Sequence, residues 1–228
     1  MLWFESDLYD MLQLAQILDR LPEEAATLVI VGEERFVGVA ELEPHELRAL
    51  AADGAAHRRG RRIPVDAAVR HAGRALWAAL RAPEPTPAVR LAEHRTLALP
   101  ALGEAARRLL EQLPWHDTGV NRTERALLEA VAGGARAREA AFLAQQRQEE
   151  RPFMGDATAF AYHAALADGQ AALLRNHGPL SLTPSGGAVL AGGARWEGRP
   201  ERWLGGMLVP GGSARPPWAW DPAARRVV

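Results

Sequence analysis

Three carboxylates crowd the first ten residues: Glu5, Asp7 and Asp10, within Leu2-Trp3-Phe4-Glu5-Ser6-Asp7-Leu8-Tyr9-Asp10. Two more, Glu33 and Glu34, follow the apolar run Thr27–Val31. A few carboxylate oxygens of this kind hold a hard divalent cation, and a held cation can activate water against a phosphoester. Glu5, Asp7 and Asp10 are therefore the candidate catalytic groups, and Glu5, Asp7, Glu33 and Glu34 the candidate metal ligands, of a metal-dependent hydrolase or phosphoesterase. A purely structural reading competes with this one. Asp7 stands at a helix N-cap position with Asp10 three residues on, and both complement the helix dipole. Glu33-Glu34 is then a solvated turn.

The acids share a rim only if the elements carrying them are arranged in one way. Leu2–Glu5 reads as a short strand, and Asp7 to Leu21 carries Leu8, Met11, Leu12, Leu14, Ala15, Leu18 and Leu21 at helical spacing. Thr27–Val31 is a continuous β-branched run stopped by Gly32, the pattern of a strand covered on both faces. Strand, helix and strand in so short a stretch predict a right-handed parallel βαβ unit, whose strands end at the same, ligand-binding edge. A further strand is expected over residues 36–40, a short helix over 44–52, and a polar loop over 53–62. A helix over 64–80 with Trp77 on its apolar side, a stiff connector over 82–87, and helices near 88–94 and 100–113 complete the first half.

The second half begins with Asn121-Arg122-Thr123-Glu124, a capping box with Asn121 as cap. A helix to Ala132, a helix from the Gly133-Gly134 turn to about Glu149, and a third capped by Asp156 and running to Ala167 form a tri-helical module. A hairpin over 171–175 and 179–182 follows, turning at Asn176-His177-Gly178, then a last helix from Thr183-Pro184. Three helices and a hairpin are the order of a winged helix. Its third helix contains no arginine, and phosphate contacts dominate affinity for nucleic acid, so it is a weak DNA reader. Thr158, Tyr162 and His163 on that helix, with the flanking Arg151 and Arg175, are the candidate contacts to a partner protein or, as the weaker alternative, to nucleic acid. Two closing strands are expected at 203–209 and 218–220, with Trp218 and Trp220 on one face.

Other chemistries find little footing. The 228 residues include no cysteine, which removes disulfides, thiolate zinc sites and cysteine nucleophiles. None of the 7 histidines stands in a metal-binding spacing, no Gly-x-Ser-x-Gly elbow occurs, and the paired glycines are not a phosphate loop. No cofactor motif is evident beyond a divalent cation at the acids. The net charge is -1, yet residues 1–56 hold 12 acids against 3 arginines, whereas residues 57–81 hold 7 arginines and 1 acid. An acidic N-terminal surface repels a duplex, and the two stretches could pair with each other or across a subunit seam. No apolar run is long enough to span a bilayer and no export signal is visible, so the expected location is cytoplasmic.

Several stretches together carry a resemblance: Leu2-Trp3-Phe4-Glu5 with Asp7, Tyr9-Asp10 and Leu12-Gln13-Leu14; Arg81-Ala82-Pro83; Arg122-Thr123-Glu124; Pro152-Phe153-Met154-Gly155-Asp156; Leu182-Thr183 with Gly187 and Val189-Leu190-Ala191-Gly192; Arg202-Trp203-Leu204-Gly205-Gly206; and Trp220-Asp221. In that order, over nearly the whole chain, they resemble the bacterial domain-of-unknown-function 1835 family. The resemblance implies a relative and supplies no mechanism. Members of that family begin with an extra α/β segment containing a Gly-Asp turn, which has no counterpart here, so a truncated start is expected. Met11 also replaces the family's glutamine. A site spanning the Gly-Asp turn and Glu5-Asp7 would then be half present.

The expected architecture is an α/β and helical N-terminal domain over residues 1–115, followed by a winged-helix-like α+β domain with Trp-rich closing strands over 120–228. The expected function is that of a non-catalytic binding or regulatory protein, with a protein partner or a second copy of itself as the leading contact. The metal-dependent hydrolase is the alternative.

Overall fold

The computed structural model describes the chain except for residues 23–24, 53–58, 95–96, 176 and 213–214. The chain forms two compact units, one of residues 1–82, 86–108 and 151–153, the other of residues 83–85, 109–150 and 154–228.

In the first unit, β1 (Leu2–Glu5) and β2 (Thr27–Val31) pair in parallel, with Trp3 opposite Val29 and Glu5 opposite Val31. The helix α1 (Leu8–Arg20) crosses between them, started by Asp7, whose carboxylate accepts the Asp10 amide at 3.0 Å. The βαβ unit expected from the apolar pattern is therefore present. On one sheet face Val29 and Val31 pack with Val37, Leu42, Leu50 and Trp3, while Leu28 and Ile30 on the other face are equally buried. Both faces of β2 are covered, which is why its sequence shows no polar alternation.

The third strand lies elsewhere than expected. Residues 36–40 form no strand; Val39–Glu41 is a 3₁₀ turn leading into α2 (Pro44–Ala52). The local amides are met by carboxylates instead of a ladder: Glu41 accepts Gly38 N–H at 2.9 Å and Glu5 accepts Val39 N–H at 2.7 Å. The third strand is β3 (Gly60–Pro64), antiparallel to β2 with Arg61 opposite Ile30. Much of the loop expected over 53–62 lies outside the described residues, and its described end is strand.

Helix α3 (Ala67–Arg81) starts at Asp66, three residues later than expected because Pro64 is held in β3. It packs closely on α1 at Gly73, where an added Cβ would stand 2.5 Å from Leu18 Cδ1. Helices α4 (Thr86–Glu93) and α5 (Pro100–Leu110) follow, so the extended connector is confined to residues 82–85.

The second unit is built on α6 (Arg122–Ala132), α7 (Arg138–Gln146) and α8 (Asp156–Leu166). The reciprocal Asn121–Glu124 capping box forms as expected, with amide contacts of 2.7 and 2.8 Å. Gly155, not Asp156, caps α8; the Asp156 carboxylate accepts the amide of Ala157 instead. The antiparallel pair β4 (Leu174–Arg175) and β5 (Ser181–Leu182) is the expected hairpin, though Asn176 of its turn lies outside the described residues. Thr183 caps α9 (Pro184–Leu190). The closing segment is two hairpins, β6 (Arg202–Leu204) with β7 (Met207–Val209), and β8 (Trp220–Asp221) with β9 (Arg226–Val227). Gly205, at φ 60°, makes the turn that splits the expected 203–209 strand in two. The core joins Leu127, Leu128 and Val131 of α6 to Leu166, Leu174, Leu180 and Trp196.

Candidate functional site

The carboxyl edge of β1 and β2 is where an α/β sheet receives a ligand, and it is the edge the acids were expected to line. Four of the five candidate acids, Glu5, Asp7, Asp10 and Glu33, are committed to protein groups. Glu5 binds the Val39 amide, Asp10 accepts the Glu5 amide at 2.7 Å, and Asp7 caps α1. Glu33 forms a two-pronged pair with Arg61, one arm at 3.0 Å, while Glu34 is exposed. Arg61, carried by β3, meets the Glu33 carboxylate with both prongs of its guanidinium, the strong two-point form of such a pair. Among the described residues, no group of three or more His, Asp or Glu side chains is placed to hold a metal.

Asp7 is nonetheless unusual. It is 6% exposed, and burial, reinforced by the charges of Asp10 and Glu5, pushes its pKa up to about 6 against the pull of the Asp10 and Tyr9 amides. A carboxyl poised in this way can exchange a proton near neutral pH.

The group that closes this edge is Arg151. Expected as a surface contact beside the winged helix, it belongs to the N-terminal unit and is turned inward. Its guanidinium donates to Ser6 Oγ, to the Gly32 carbonyl, and to the Glu33 carbonyl at 2.7 Å, and it pairs with Glu104 at 2.7 Å. Phe153, two residues on, takes Tyr9 edge-on at 4.9 Å and Arg108 over its face at 4.8 Å. No short-range signal in the sequence pairs residue 151 with residues 6 and 32, which lie 145 and 119 positions away.

The other expected contacts lie in the C-terminal unit. Thr158 and Tyr162 are half-buried, Tyr162 against the core, and Arg175 is exposed. His163 is 3% exposed, so it is not an outward contact; its helix is apolar on nearly every face, and periodicity could not tell inside from outside. The exposed residues along α8 are instead Asp156, Ala157, Ala161 and Ala164.

Sequence reasoning missed the exposed pair Trp203 and Leu208. They stand directly opposite each other across β6 and β7, at 67% and 37% exposure. The neighbouring Arg202 turns inward, donating to Glu124 at 2.6 Å and to the Gln112 carbonyl at 3.0 Å, and this anchors the hairpin that displays the tryptophan. Alternation along β6 could have found the pair, had the turn at Gly205-Gly206 been recognised.

No protein-family model, no curated protein and no solved structure matches this chain. No helix among the described residues is long and apolar enough to cross a membrane.

Proposed function

We propose that this is a non-catalytic binding or regulatory protein whose C-terminal unit, a winged-helix-like module, contacts a protein partner. The observation that carries the reading is Trp203 held two-thirds exposed opposite Leu208 on a hairpin fastened by a buried ion pair. Large aromatic side chains fixed at a surface are the usual anchors of protein interfaces. The order α6, α7, α8 and hairpin supports the winged-helix comparison. The outward stripe of α8 supports protein over nucleic acid, because alanine methyls supply neither cations for phosphates nor donors for base edges. The metal-dependent hydrolase has less support, since Glu5, Asp7 and Asp10 already serve backbone amides.

A photo-crosslinking residue placed at Trp203 in the producing cell tests the reading. The expected result is a crosslinked protein adduct, to a second copy or to a partner, that is absent when the same residue replaces exposed Arg175. No adduct at Trp203, together with duplex binding at low salt that weakens steeply as salt rises, overturns it.

A further inference from the structure

A cavity of about 540 Å³ opens between the start of α7, the middle of α8 and the segment leading into β5, lined among others by Arg136, Arg138, Glu139, His163 and Leu180. Cavities of roughly 300–1,000 Å³ are the size that small ligands fill. Among the residues lining this cavity, His163 is the one whose buried polar atoms lack a partner. It is 3% exposed, and neither ring nitrogen has a hydrogen-bond partner among the described residues. A buried polar group left unanswered is costly and uncommon, and it marks a place where something other than the protein's own groups is meant to bond.

The charges around the ring say what. Burial, and then the Arg138 guanidinium, push the His163 pKa down to about 4, with Glu139 opposing weakly. The ring is therefore neutral at neutral pH and offers one donor and one acceptor. Arg138 lies over the Phe160 ring at 4.8 Å, which fixes its guanidinium plane. Arg136 is tethered by the carbonyls of Val131 and Leu180 at 3.3 and 3.4 Å. Helix α7, nine residues long, begins at Ala137, whose side chain provides no cap. Its first-turn amides thus lack a side-chain acceptor and add the positive end of a helix dipole. Two arginines and that helix start stand against one acid, Glu139.

We propose that this cavity is a binding site for a small oxyanion, a carboxylate or a phosphate, with Arg136, Arg138 and the α7 amides on the anionic head and His163 hydrogen-bonded to the ligand. This site is separate from the Trp203 surface and goes beyond the partner-binding reading. An anion beside the ring favours its protonated form, so binding draws in a proton and strengthens as pH falls.

The experiment is titration of the full chain with inorganic phosphate and, separately, with succinate, followed by calorimetry and by the His163 ring resonances. Saturable binding of one anion is expected, with the His163 resonances moving and its pKa rising, and with affinity higher at pH 6 than at pH 8. Whichever anion saturates identifies the head group. Arg138→Gln, at an exposed position, is expected to weaken binding roughly tenfold or more without unfolding the chain. His163→Gln is expected to remove the pH dependence. No saturable binding of either anion overturns the proposal. So does binding that leaves the His163 resonances unmoved, or binding that Arg136→Gln and Arg138→Gln both leave intact.

Discussion

In the N-terminal unit the buried carboxyl Asp7 accepts a backbone amide, and Arg151 meets Ser6 and two carbonyls at the end of β2. In the C-terminal unit Arg202 and Arg122 are likewise paired, to Glu124 and to Glu111 and Glu149, yet the imidazole of His163 is left unanswered. The contrast separates two uses of buried polarity. Where each group finds a partner on the chain itself, the network holds elements together, and the acidic edge of the first unit is of this kind. Where one group is left over beside a cavity and two cations, the protein retains a polar group that folding alone does not need.

The largest expected effect tests the paired side of that contrast. Arg202→Ala strands Glu124, whose side chain is 2% exposed, and should cost about 3 kcal/mol or more. Hydrogen exchange should show the loss in α6 and the β6–β7 hairpin, with α1 unchanged; equal loss in α1 would deny that the networks are separate. Arg151→Ala should cost about 2 kcal/mol, because the Gly32 and Glu33 carbonyls lose their donor. Its signature is faster exchange of the Ser6 amide, which bonds to the Val31 carbonyl.

A sharper comparison is in pH, where the two units have opposite signs. The Asp7 pKa is raised from 3.8 to about 6, so its contribution is fully present below the lower value and is lost as pH rises through 6. The His163 pKa is lowered from 6.5 to about 4, so its contribution is present above 6.5 and is lost as pH falls through 4. Each change, taken across its pH window, amounts to about 3 kcal/mol. Asp7→Asn, which keeps a capping oxygen, should flatten the first slope, and His163→Gln the second. If either variant leaves the pH profile of denaturation unchanged, the burial argued for that group is wrong. The smallest expected effect is Trp203→Ser, within about 0.5 kcal/mol of the parent by denaturation, as for an exposed site that packs against little. A larger loss would make that tryptophan part of the fold and not a docking anchor.

The legible parts of this fold are those whose cause is local. Asp7 and Asn121 each satisfy amides two or three residues away, and Thr27–Val31 carries its burial in its own composition. The strand β3 was illegible because Gly-Arg-Arg-Ile-Pro has neither β-branched density nor alternation. It is strand because the free edge of β2 pairs with it and Glu33 receives Arg61. The expected strand over residues 36–40 failed for the converse reason, since carboxylates of Glu5 and Glu41 satisfied its amides first.

The candidate site divides in the same way. Sequence alone placed Glu5, Asp7 and Asp10 at the end of a parallel strand, because strand, cap and helix follow one another within ten residues. What those acids do was decided by partners brought in from afar: Val39 for Glu5, Arg61 for Glu33, and Arg151, 145 residues beyond Ser6, for the edge itself. The burial of His163 was likewise set by α6 and α7 packing on a helix with no polar face of its own. Short-range hydrogen bonds and apolar spacing are written along the chain, whereas the pairing of a charge depends on which distant groups the packed fold brings within three ångströms of it.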